Sequence, residues 1–116
     1  MKLDHVFGAL SDATRRAIVM RLCAGEASVG ELAKPFEMAL PSLMKHIRIL
    51  ENSGLVASEK TGRVRMCSLQ TEALATVELW LAAQRELWEQ RLDRLEMYVE
   101  KLKKEERSNA RRRKSK

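Results

Sequence analysis

Pro41-Ser42-Leu43-Met44-Lys45-His46-Ile47-Arg48-Ile49-Leu50-Glu51-Asn52-Ser53-Gly54 decides the fold. Leu43, Ile47 and Leu50 recur at helical spacing and make one apolar face. Pro41 suits a first helical turn, where its missing amide hydrogen has no intrahelical partner, and Ser53-Gly54 closes the helix. With successive residues about 100° apart and the apolar stripe inward, Lys45 points nearly opposite the core. Ser42, Arg48 and Ile49 spread around it.

Upstream, Ser28-Val29-Gly30-Glu31 matches a capping box, in which hydroxyl and carboxylate satisfy each other's backbone amides. It predicts a helix through Phe36 that Pro35 keeps short. The connector Glu37 to Leu40 then leads to Pro41. Two short helices joined by about four residues, the second opening at a proline, fit a helix-turn-helix. Earlier still, Leu3, Phe7 and Leu10 predict a first helix. Ser11-Asp12 offers an N-cap to a second, which runs to Gly25 with Ile18 and Leu22 inward.

Downstream, Leu55 to Lys60 and Arg63 to Leu69 are β-prone runs joined at Thr61-Gly62, a hairpin directly after the second helix of that pair. Alternation puts Arg63 and Arg65 on one face and Val64 and Met66 on the other, so the expectation is that the latter pack and the former meet phosphates. A basic hairpin beside a helix-turn-helix is a wing. The fold class expected is therefore mainly α with a small β-hairpin: a winged helix-turn-helix.

From Thr71 helix formers run without Pro or Gly to about Arg107, roughly 50 Å at 1.5 Å per residue. Leu74, Leu81, Trp88, Leu95 and Leu102 fall seven apart, and Val77, Leu92 and Val99 make much of a second row, interrupted by Gln84 and Arg85. The stripe fits either a partner helix or packing on the chain's own domain, and the length favours a partner. Residues 1–106 are expected to form the domain with its terminal dimerisation helices. Residues 107–116, with Arg111-Arg112-Arg113-Lys114, are expected to be a basic disordered tail.

The 116 residues suit one domain, and 45% apolar content can build its core without disulfides. The net charge of +6 is uneven, with an excess of basic residues over 34–65, of acidic residues over 66–100, and nine basic against two acidic over 101–116. Basic charge confined to particular elements can be a nucleic-acid footprint. No segment approaches a membrane span, and the first ten residues lack a secretory h-region, so a cytoplasmic protein is expected. Cys23 and Cys67 show no metal-ligand spacing and read as free structural thiols. Two histidines, two cysteines and no phosphate loop or nucleophile elbow leave no catalytic constellation, so neither an enzyme nor a cofactor is expected.

Phe7 to Ile18 (FGALSDATRRAI), Gly30-Glu31-Leu32-Ala33, Pro41 to Glu51 and Ser53-Gly54-Leu55-Val56 together resemble the ArsR/SmtB winged-helix repressors, in the subgroup lacking the metal-binding cysteines. The resemblance extends through Trp80, Trp88 and Leu92 to Glu96. It implies a homodimer built from the first and last helices, a reader helix at 41–51, and no metal site. Ala39 and Met44 depart from the family pattern, each removing a hydroxyl.

Within this frame Lys45 is the base-reading candidate, able to donate to guanine O6 and N7, and Ser42 can reach a base or a phosphate from the first turn. Arg48 lies beside them. His46 sits at the edge of the buried stripe, where packing and phosphate contact are both open. Lys60, Arg63 and Arg65 are expected to contact the DNA backbone or minor groove. Arg15 and Arg16 receive no role. The expected dimerisation residues are Phe7, Leu74, Leu81, Trp88, Leu92, Leu95 and Leu102. The expected partners are double-stranded DNA and a second copy, with no membrane and an effector the sequence does not identify. The alternative is a winged-helix interaction module with only nonspecific DNA affinity.

Overall fold

The computed structural model describes residues 3–114. Contacts divide the chain into two units, one ending at Leu79 and the other beginning at Trp80. In the first, α1 (Leu3–Leu10) and α2 (Ala13–Cys23) precede a two-residue strand β1 (Ala27–Ser28). Then come α3 (Val29–Ala33), α4 (Leu40–Asn52), β2 (Val56–Thr61), β3 (Val64–Leu69) and α5 (Thr71–Lys114), which continues into the second unit. Among the described residues no helix is long and apolar enough to cross a membrane.

Local chemistry sets these boundaries. Asp12 caps α2 by accepting the Arg15 amide at 3.0 Å. Ser28 caps α3 by accepting the Glu31 amide at 3.1 Å, but Glu31 does not complete the reciprocal bond. Its carboxylate accepts instead from the Ser28 hydroxyl at 3.2 Å and from Arg21 at 3.3 Å, tying α3 to α2. α3 ends at Ala33, earlier than the expected Phe36, because Pro35 cannot supply the next helical donor.

α4 ends in a Schellman arrangement. Leu55 N–H donates to the Leu50 carbonyl at 3.1 Å and Gly54 N–H to that of Glu51 at 3.0 Å. Gly54 holds φ +84°, a region L side chains rarely adopt. Leu50 and Leu55 are both fully buried beside this bend. They join Val6, Ile18, Leu22, Leu32, Leu43, Ile47 and Val77 in a single core.

The sheet order is β1-β3-β2, all antiparallel, with Ala27 opposite Cys67 and Val56 opposite Leu69. The third strand β1 is too short to carry a periodicity signal. The expected packing face of the wing is corrected. Cys67 is fully buried and shares its face with Arg65, whereas Val64 is 48% exposed at the tip. The face is chosen by Cys67 and Leu69 near the core, and alternation then carries Arg65 to the same side.

In the second unit every described side chain from Trp80 to Arg113 is exposed on α5. The disorder expected from Arg107 is also corrected, because the helix runs on to Lys114. Lys, Glu, Arg and Ala all favour helix, and Arg107 Nε donates to the Lys103 carbonyl at 3.4 Å. Like charge alone does not break such a segment. Residues 115 and 116 of that expected tail lie outside the described residues.

Gly54→Ala should lower stability by about 1–2 kcal/mol through left-handed strain alone, seen as a fall of several degrees in Tm by circular dichroism. An unchanged Tm would mean that the bend relaxes at no cost.

Candidate nucleic-acid interface

α4 buries Leu43, Ile47 and Leu50 completely and leaves Ser42, Lys45, Arg48 and Ile49 exposed. One amphipathic helix thereby presents a hydroxyl and two cations on its outer side. The side chains of Lys45 and Arg48 make no ion pair or hydrogen bond among the described residues.

At its start, Ala39 gives no side-chain cap. The backbone compensates: Ser42 and Leu43 amides share the Ala39 carbonyl at 3.0 and 3.2 Å, and Pro41 has no donor to satisfy. The lost hydroxyl therefore leaves little unmet at this helix end. Met44, the other departure, packs half-buried against the core.

The wing supplies Lys60 and Arg63 as exposed cations, neither paired among the described residues. The tight turn between them uses Gly62 at φ +64°. Arg65 is placed differently. Its Nη1 donates to Ser58 Oγ at 3.0 Å, and Ser58 in turn donates to Glu51 Oε1 of α4 at 2.8 Å. This chain fastens the wing to the reader helix, so Arg65 is committed inside the fold. Lys60, Arg63, Val64 and Arg65 nevertheless share one groove with Leu40 and Met44, its volume about 480 Å³.

His46 is half-buried and faces α2. Arg15 Nη1 lies 3.2 Å from its Nδ1, and Asp12 Oδ2 lies 3.8 Å from the same atom. Arg15 also donates from Nε to the Ala9 carbonyl at 2.8 Å and from Nη2 to that of Gly8 at 3.2 Å. Arg16 reaches the Leu10 carbonyl at 2.8 Å. The two arginines left without a role thus close the C-terminus of α1. Their signal was present: an arginine three residues after a helix N-cap lies on the first turn, beside the end of the preceding helix.

The Arg15 amide holds the Asp12 carboxyl below its ordinary value, aided by the Arg15 and His46 charges. Burial, reinforced by Glu51, pushes the Cys67 thiol up, so it stays protonated and unreactive at neutral pH. Cys23 is exposed, and both thiols are free. Among the described residues no three His, Cys, Asp or Glu side chains gather where they could hold a metal ion.

Of the expected dimerisation residues, Leu74 packs against the core of its own unit. Phe7 is 38% exposed, and Leu81, Trp88, Leu92, Leu95 and Leu102 are all exposed on α5. Arg91 lies over the Trp88 ring, 5.9 Å from its centroid.

Comparison with known proteins matches this geometry. Residues 10–59 fit a family described as a helix-turn-helix domain. The HTH-type transcriptional regulator Rv2034 of Mycobacterium tuberculosis is 38% identical over 64% of this chain and 69% of its own. The transcriptional repressor SdpR of Bacillus subtilis is 32% identical over 68% of this chain and 88% of its own. A crystal structure of an ArsR family transcriptional regulator, RHA00566, is 57% identical, with a TM-score of 0.74 over 75% of this chain and 96% of that one. The chain belongs to the ArsR/SmtB family. It is a winged helix-turn-helix, DNA-binding transcriptional regulator, with α3 and α4 as the ArsR/SmtB reader motif and β2 and β3 as the wing.

Because its carboxyl is depressed in the fold, Asp12 stabilises above the ordinary value of 3.8, and the contribution is lost as pH falls through the lower folded value. Asp12→Ala should therefore melt below the parent at pH 7, with the gap closing in acid below about 3.8. A gap constant down to the most acidic melts would remove the ionised cap from the account.

Proposed function

We propose that the protein is a homodimeric repressor that binds an imperfect palindrome near promoters through α4 and the wing. The observation that carries this reading is the outer face of α4, where Ser42, Lys45 and Arg48 stand exposed and the cations are unpaired among the described residues. Lys45 reads guanine in the major groove, and Ser42 contacts a base or phosphate from the first turn. Lys60 and Arg63 contact the backbone from the wing, while Arg65 supports the wing from behind. His46 contributes a backbone contact from the edge of α4.

Repression is supported by the name of SdpR, a transcriptional repressor. Dimerisation is supported by the apolar row Leu81, Trp88, Leu92, Leu95 and Leu102, which nothing covers within its own unit. A second copy covering that row produces two reader helices related by a two-fold axis. Their half-sites then lie about 34–36 Å apart, one turn of DNA. Residues 107–116 add sequence-independent phosphate attraction. The protein acts without catalysis, in the cytoplasm where its DNA lies.

Footprinting on the DNA upstream of its own gene should give a protected palindrome at physiological salt. Uniform, salt-labile protection would instead support an interaction module with nonspecific affinity. Lys45→Ala should weaken operator binding by about 1–3 kcal/mol and nonspecific binding less, measured by competition titration. Equal losses would remove Lys45 from base readout. Leu81→Glu combined with Leu95→Glu should halve the mass in light scattering, and an unchanged mass would sink the proposed dimer seam.

A further inference from the structure

We propose that Arg15 is a positioning residue for DNA binding, fixing His46 in the tautomer that offers its Nε2–H to a phosphate. The inference rests on the reading above that α4 meets DNA.

An arginine has only donors, so a guanidinium nitrogen 3.2 Å from His46 Nδ1 makes that atom the acceptor. A ring that accepts at Nδ1 carries its proton on Nε2. Asp12, the competing acceptor that would favour a proton on Nδ1, stands farther off at 3.8 Å. Nε2 has no hydrogen-bond partner among the described residues. It is also not buried, because no buried side-chain polar atom among them is left without a partner. The free donor therefore opens to solvent at the edge of the reader helix, one residue from Lys45.

Arg15 is itself immobilised. Its Nε and Nη2 are held by the carbonyls of Ala9 and Gly8 at the end of α1. Its backbone amide is held by Asp12. The orientation of His46 is thus set by the end of α1, the helix that carries the half-exposed Phe7.

Two measurements on the full-length protein test the proposal. The first is the nitrogen chemical shifts of His46 in the free protein by NMR. They should report a protonated Nε2 and an unprotonated Nδ1 in the parent, and the preference should weaken in Arg15→Met. A proton on Nδ1 in the parent overturns the proposal even if every variant unfolds.

The second is affinity for the footprinted upstream duplex across a salt series. His46→Ala should weaken binding about 10- to 150-fold per half-site, the range of one hydrogen bond from a neutral donor to a charged group, with the salt slope unchanged. A slope lower by about 0.9 would mean a charged imidazolium neutralising a phosphate, and would overturn the neutral donor. His46→Gln, which keeps a donor near the Nε2 position, should restore most of the affinity. Arg15→Met should cost affinity in the parent and almost none in His46→Ala, and additive losses would overturn the coupling. If the parent protects no DNA, the proposed function fails by itself, and the tautomer measurement still decides whether Arg15 sets the ring.

Discussion

Everything in the first unit depends on α4 having only one face it can bury. Leu43, Ile47 and Leu50 are completely enclosed, and α1, α2, β2 and the start of α5 close round them. A helix pinned on one side by close packing has no freedom to rotate, so its opposite side is delivered as a fixed surface. The reader face is in this sense a by-product of the core. The same stripe also explains why the Schellman bend matters. It turns the chain at Leu50 and Leu55 so that β2 begins beside the helix it must support.

Much of this was legible. The apolar spacing in α4, the Pro41 start, the Asp12 and Ser28 caps and the glycines at 25, 54 and 62 each carry a local physical reason, and each takes its expected place. The outward position of Lys45 followed from the helical period alone. The exposure of Lys60 and Arg63 was legible from their place at the tip of a hairpin, since a wing exposes its turn whatever its register.

What was not legible depended on contacts between distant segments. Nothing local to β3 says whether Cys67 or Met66 faces the core, and that choice decides whether Arg65 meets solvent or Ser58. The Arg15 to His46 contact joins residues from α2 and α4, and no periodicity in either helix announces it. The continuation of α5 to Lys114 was not legible for a different reason. A run of like charge points to disorder while intrinsic helix preference, in a segment with no glycine or proline, points to helix, and the preference prevails.

The two-residue strand β1 bears on how the molecule assembles in time. β2 and β3 are neighbours in sequence and can zip as soon as their turn forms, but Ala27 must find Cys67 across about forty intervening residues. Ser28, which pairs with Met66, is also the residue that caps α3. The last strand to join the sheet therefore carries the first residue of the reader motif. Until β1 closes onto β3, α3, which lies N-terminal to both α4 and the hairpin, lacks the strand pairing that anchors its capping residue.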